Sequence, residues 1–193
     1  YGADAFAGII NLVSEDTNIN NSQVLINTGK FDEYGIGYTG SSKFKNINVR
    51  YALNYNHYGD DPNRIINNDL QTGLDAGFGT QASLAPGRIN QSSEQISINV
   101  NANYQDIEMS YFGIKGTFGF GAGVVEALDP DGQGNHYSHL AEVKYHFSLF
   151  DEKDMTISAW YQKKHSEFPF TIFPAGAVLP IGGDGNLNFA NPV

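Results

Sequence analysis

Polar and apolar residues alternate with a period of two through most of the chain. In Asn46–Tyr58, Ile47, Val49, Tyr51, Leu53 and Tyr55 take one side, and Asn48, Arg50, Ala52, Asn54 and Asn56 take the other. Successive side chains of a strand point to opposite faces, so this pattern predicts a half-buried β-strand. Glu94–Tyr104 repeats it, with Ile96, Ile98, Val100, Ala102 and Tyr104 against Gln95, Ser97, Asn99, Asn101 and Asn103. Weaker versions run through Ser22–Gly29, Tyr34–Thr39, His136–Leu149 and Met155–Glu167. Ile107–Thr117 is noisier, because Phe112 and Ile114 sit on its polar side. The expected content is seven strands, most of them longer than the ordinary mode of about 5–6 residues.

The connections fall into two classes. Lys43–Lys45, Gln105-Asp106 and Phe150–Asp154 are short, whereas Gly59–Ser93, Phe118–Asn135 and the stretch from Phe168 onward are long. Only Lys30–Glu33 is short where a long connection would keep the alternation. Strands of about 9–11 residues joined by short turns at one end and long loops at the other are the pattern of an outer-membrane β-barrel.

Composition narrows this further. The 193 residues include 22 Gly, 13 Phe and 11 Tyr, a profile of strands and turns. No run approaches the ~20 apolar residues of a membrane-spanning helix, and a mean hydropathy of -0.33 does not bear on barrels, whose strands alternate. Eleven basic against 21 acidic residues, a net charge of -10, argue against nucleic-acid binding, which needs a basic face. The absence of cysteine removes disulfide frameworks, thiolate catalysis and zinc–thiolate sites together.

Three local features carry candidate chemistry. Asp129-Pro-Asp-Gly-Gln-Gly-Asn135 is similar to the start of a calcium loop, but position twelve is Leu140 rather than a bidentate acid. A Gly/Asp-rich surface turn accounts for it better. Gly116–Gly123 is glycine-rich but lacks P-loop and dinucleotide spacing and precedes no helix pattern, so it reads as a flexible loop base. His136 and His139 fall on opposite faces of a regular strand and cannot share a metal. No catalytic constellation, metal site or cofactor site is expected, and the ligand-contacting residues are not readable.

The opening stretch, Tyr1 to Ser14, is the most informative. Physically it is a turn (Tyr1-Gly2-Ala3-Asp4) followed by a short β-branched strand around Ile9-Ile10-Asn11-Leu12-Val13. Its residue order resembles the closing signature of the plug domain in TonB-dependent outer-membrane receptors, on which Tyr1, Gly2, Ala5, Gly8, Ile10 and Asn11 fall. Ala7 stands where the family usually has a glycine, Ile9 replaces Val, and Glu15 replaces a common Lys or Arg.

The resemblance implies a division into the end of a plug (1–14), a linker (15–21) and the first part of a transmembrane β-barrel (22–193). The expected fold is all-β, an antiparallel meander of about seven strands. A chain leaving a plug on the periplasmic side would place the long loops outside the cell. Tyr1 begins inside the motif and Val193 ends a Gly/Asn/Pro-rich stretch, so the chain is expected to be an interior piece of a longer protein. The resemblance further implies location in the outer membrane of a Gram-negative cell and lipid bilayer as a partner. It implies energy coupling to the TonB complex through a segment that these residues lack, and uptake of a scarce small molecule, with an iron-siderophore the family's commonest case. The competing expectation is a soluble all-β carbohydrate- or ligand-binding module. Alternation alone leaves both open, since an apolar face meets a partner sheet in one and lipid in the other.

Overall fold

The computed structural model describes residues 21–123, 125–149, 153–169, 172 and 173. The plug-like residues Tyr1, Gly2, Ala5, Gly8, Ile10 and Asn11 therefore lie outside the described residues, as does most of the expected linker. Strands β1 (Ser22–Thr28), β2 (Tyr34–Phe44) and β3 (Ile47–Tyr58) lead into a long excursion, which carries the two-residue strands β4 (Ile65–Ile66) and β5 (Gly87–Arg88) and a helix, α1 (Leu70–Phe78). Strands β6 (Ser93–Tyr104), β7 (Ile107–Ala122), β8 (Leu128–Leu149) and β9 (Lys153–Glu167) follow.

The seven long strands form one sheet in the order β1-β2-β3-β6-β7-β8-β9, every neighbouring pair antiparallel. This is the expected all-β meander, interrupted only by the excursion between β3 and β6. Two-residue turns close β2–β3 and β6–β7, with Phe44 paired to Ile47 and Tyr104 to Ile107. Their first turn residues, Lys45 and Gln105, have φ of 52° and 51°. Such positive φ matches the twist of the flanking strands in tight hairpins.

Two expectations are corrected. Phe118–Asn135 is not a long loop: β7 runs to Ala122, β8 starts at Leu128, and the hairpin connection is short. The glycine-rich Gly116–Gly123 is thus mostly strand, and so is Asp129–Asn135. The register slips between the pairs Gly119–Gln133 and Gly121–Asp129, leaving Pro130 in a bulge. A proline there costs no ladder hydrogen bond, which is why a strand can hold it.

Hydrophobic burial does not organise this molecule in the usual way. Among the described residues no large side chain is fully buried, and the buried apolar set is Ala82, Ala127 and Leu128. All three lie near the loop end of the sheet, and most of the sheet's other apolar residues are half-buried or exposed.

Candidate functional site

Cross-strand partners share a face, so the register sorts the whole sheet into two. The row Leu53–Ile98–Gly113–His139–Lys163 belongs to the apolar face. The adjacent row Asn54–Ser97–Ile114–Ser138–Lys164 belongs to the polar face. The apolar face carries Ile26 at 71 % exposure, Ile96 at 52 % and Ile157 at 61 %. Among the described residues no second layer covers it.

The border of that apolar face is oblique. On β3, β6, β7, β8 and β9, moving from the short-turn end and past Lys153 at the very start of β9, the next polar or charged residue on this face is His57, Glu94, Lys115, His139 and Lys163 respectively; on β2 the first is Ser42, next to the short turn. His57 and Glu94 share a row, Lys115 lies one same-face row lower, and His139 and Lys163 lie two rows lower. Two such rows are four residues, about 13 Å along a strand, and the four strand spacings from β3 to β9 span about 19 Å. The border therefore crosses the hydrogen-bonded rows at about 35°. The other border falls in the same sense, because β8 and β9 extend past the Tyr104–Ile107 row to the pair Phe147–Met155. On β3 the band from Ile47 to Tyr55 is about 27 Å long measured on the strand. Aromatic residues Phe44, Tyr104, Tyr145 and Phe147 gather at its turn end, with Tyr145 and Phe147 stacked at 5.7 Å.

The polar face is lined by asparagine and serine, with Glu142 and Lys144 paired at 3.2 Å. Phe112 and Leu140 are row partners on it, which places the apolar interruption anticipated in Ile107–Thr117. At the loop end of the same face Phe118 packs on Phe120 (5.3 Å), Phe168 (5.7 Å) and His136 (5.9 Å).

Over that end lies the excursion between β3 and β6. Asp69 caps α1 by accepting from Thr72 N (2.8 Å), and its second oxygen accepts from Leu128 N at the start of β8 (2.7 Å). Gln71 Nε2 donates to the Val125 carbonyl (2.6 Å), and Asn90 Nδ2 to that of Gly132 (3.2 Å). Gly79 ends the helix at φ 67°, a left-handed position that glycine takes without strain. Asp75 then gathers the following loop, accepting from Thr80 Oγ1, Ala82 N and Ser83 N at 2.7–3.0 Å. Burial alone would raise both carboxyls, but these donors outweigh it and hold Asp69 and Asp75 below the ordinary range. The excursion is thus a pinned cap rather than a loose loop.

His136 lies in the polar-face row with Gly116 and Ser166, and His139 in the apolar-face row with Gly113 and Lys163. Among the described residues no three His, Asp or Glu side chains come together in a way that could hold a metal. No protein-family model, curated protein or solved structure matches the chain. The site is consequently defined by its own geometry: an uncovered apolar band with slanted borders, a polar reverse face and a pinned cap at one end. Sequence reading missed the cap anchors Asp69 and Asp75; Asp69 is a common N-cap residue type, but Thr72 stands where the capping-box signature has Glu or Gln.

Proposed function

We propose that this chain is a segment of an outer-membrane β-barrel wall, and that the parent protein is a TonB-dependent receptor importing a scarce small molecule. The observation that carries the first half is the oblique band. Strands of outer-membrane barrels tilt about 35–45° from the membrane normal, so a flat bilayer must cut across their hydrogen-bonded rows at that angle. A border slanted by about 35° fits that requirement. A soluble sandwich would need a layer over Ile26, Ile96 and Ile157, each more than half exposed here. The band's length, corrected for tilt, is about 22 Å, close to the ~25 Å apolar height of such barrels.

The second half, receptor rather than any barrel, rests on the resemblance of Tyr1 to Ser14 to a plug terminus. The cap pinned at the long-loop end agrees with a face turned toward incoming ligand. An iron-siderophore is the ligand class that the resemblance favours. In this reading the asparagine-rich face lines the lumen, and TonB engages a segment outside these residues.

The test is fractionation of the full-length protein from a Gram-negative host, with a ligand-uptake assay in the same cells. The expected result is recovery in the outer membrane, gel migration that changes on heating, and uptake that stops when the TonB complex is deleted. Recovery as a soluble periplasmic protein would reject the barrel and favour a soluble binding module. Recovery in the outer membrane with TonB-independent uptake would keep the barrel and reject the receptor.

A further inference from the structure

We propose that the apolar face holds one phosphate-bearing membrane lipid, with an acyl chain over Gly113 and the headgroup phosphate between Lys115 and Lys163. The proposal rests on the membrane reading above and adds a specific lipid site to it. A hollow of about 240 Å³ opens on this face, walled by Leu53, Ile96, Ile98 and Tyr111 and bounded by Lys115 and His139. Gly113 makes the hollow. A Cβ added there would come within 2.8 Å of Tyr111 Oη and 3.0 Å of Ile98 Cγ2, so any side chain would fill the space between those walls.

The loop-side rim of the hollow is cationic, and it lies where the apolar band ends on β7, β8 and β9. Lys115, Tyr137 and His165 share one row, and His139 and Lys163 share the next. The Tyr137 ring is the hub: Lys163 Nζ lies 5.5 Å from its centre, His165 stacks on it at 5.1 Å, and His139 tilts against it at 5.6 Å. His139 is fixed in turn by Tyr111 Oη, 2.7 Å from Nδ1.

Two acids lie one row farther from the band, Glu94 and Glu167. Glu167 is engaged by His165 Nε2 at 3.0 Å and Asn135 Nδ2 at 2.9 Å. Among the described residues neither Lys115 nor Lys163 has a carboxylate within ion-pair distance. Lys115 borders the apolar hollow and Lys163 lies beyond it on β9, across Tyr137; two such ammonium groups near a hydrocarbon-lined hollow match a ligand that is anionic at one end and hydrocarbon at the other. At the level where an apolar band ends, the available source of that chemistry is a lipid headgroup phosphate.

The experiment uses the full-length protein in a neutral detergent, with lipid retention read by native mass spectrometry. The probes are phosphatidylglycerol, a diacylglycerol with the same chains, and inorganic phosphate. We expect phosphatidylglycerol to be retained in preference to the diacylglycerol. Lys115→Gln with Lys163→Gln should weaken that retention on the order of tenfold, since each basic group near an anionic surface contributes appreciably. Gly113→Ala should weaken retention of both lipids while leaving the lysines in place. Equal retention of phosphatidylglycerol by wild type and the double lysine variant overturns the lipid site. So does its displacement by inorganic phosphate, which would make the site an anion site without a chain. A protein that is monomeric in buffer without detergent overturns the membrane reading itself, a result distinct from either of these.

Discussion

The two faces of the sheet are built by the same strands from alternate residues, yet they obey different constraints. On the apolar face, the identity of a residue depends on how far it lies along a slanted line. Leu53 and Lys163 are in one row, and one is hydrocarbon while the other is charged. On the polar face the neighbouring row is polar at both ends, Asn54 and Lys164, with Ile114 between them. In the proposed membrane reading, the difference means that the surroundings of one face are layered along a direction that the strands do not follow. A protein core would impose burial on residues according to their neighbours; a planar solvent boundary imposes it according to depth.

The largest expected effect tests that contrast. Leu53→Arg or Ile98→Arg should destabilise the membrane-inserted full-length protein by about 2–4 kcal/mol, whereas Asn54→Arg should be mild. Urea titration of refolded protein in vesicles measures both, and equal penalties on the two faces would remove the distinction.

A smaller effect separates the cap from the sheet. Asp75→Ala leaves Thr80 Oγ1, Ala82 N and Ser83 N without their acceptor, which should cost about 1–3 kcal/mol locally. Hydrogen exchange should quicken between Gly59 and Ser92 while β3 and β6 stay protected. Loss of protection across the sheet would show that the cap is not a separate unit.

Acid should act on the same unit. Because Asp69 and Asp75 have depressed carboxyl values in the folded state, their contribution is present above the unfolded value of about 3.9 and is lost as pH falls through the folded one. The Ala82 and Ser83 amide resonances should therefore stay fixed from neutral pH to about 5 and shift below about 4. A shift centred near neutral pH would contradict the assignment. The smallest effect is expected for Lys144→Ala, whose ion pair with Glu142 is partly exposed. It should change stability by no more than about 1 kcal/mol in the same urea titration, and a larger loss would mean that the pair is held in a closely packed environment.

Strand order and faces were legible because Ile96–Tyr104 alternates without error and Ile47–Tyr55 breaks only at Ala52, and a period of two translates directly into a face. The upper parts of β7 and β8 were not. Gly119-Phe120-Gly121 and Asp129-Pro130-Asp131-Gly132 carry turn chemistry, and it is cross-strand backbone pairing, with a bulge at Pro130, that makes them strand. Helix α1 was hidden by its nine-residue length and by Gly73 and Gly77. The plug-like motif was legible as a resemblance, but it lies outside the described residues. The slanted border could not be read at all, since it exists only once Lys115, His139 and Lys163 are aligned by register.

That slant is the central claim, and depth measurement tests it most directly. The chain has no cysteine, so single spin labels can be placed through Leu53→Cys and Lys163→Cys in the full-length protein in vesicles. Oxygen and nickel accessibility should put Leu53 deeper than Lys163 by about 11 Å, although one row of hydrogen-bonded strands joins them. Equal depth for the two labels, or water accessibility at both, would contradict the account.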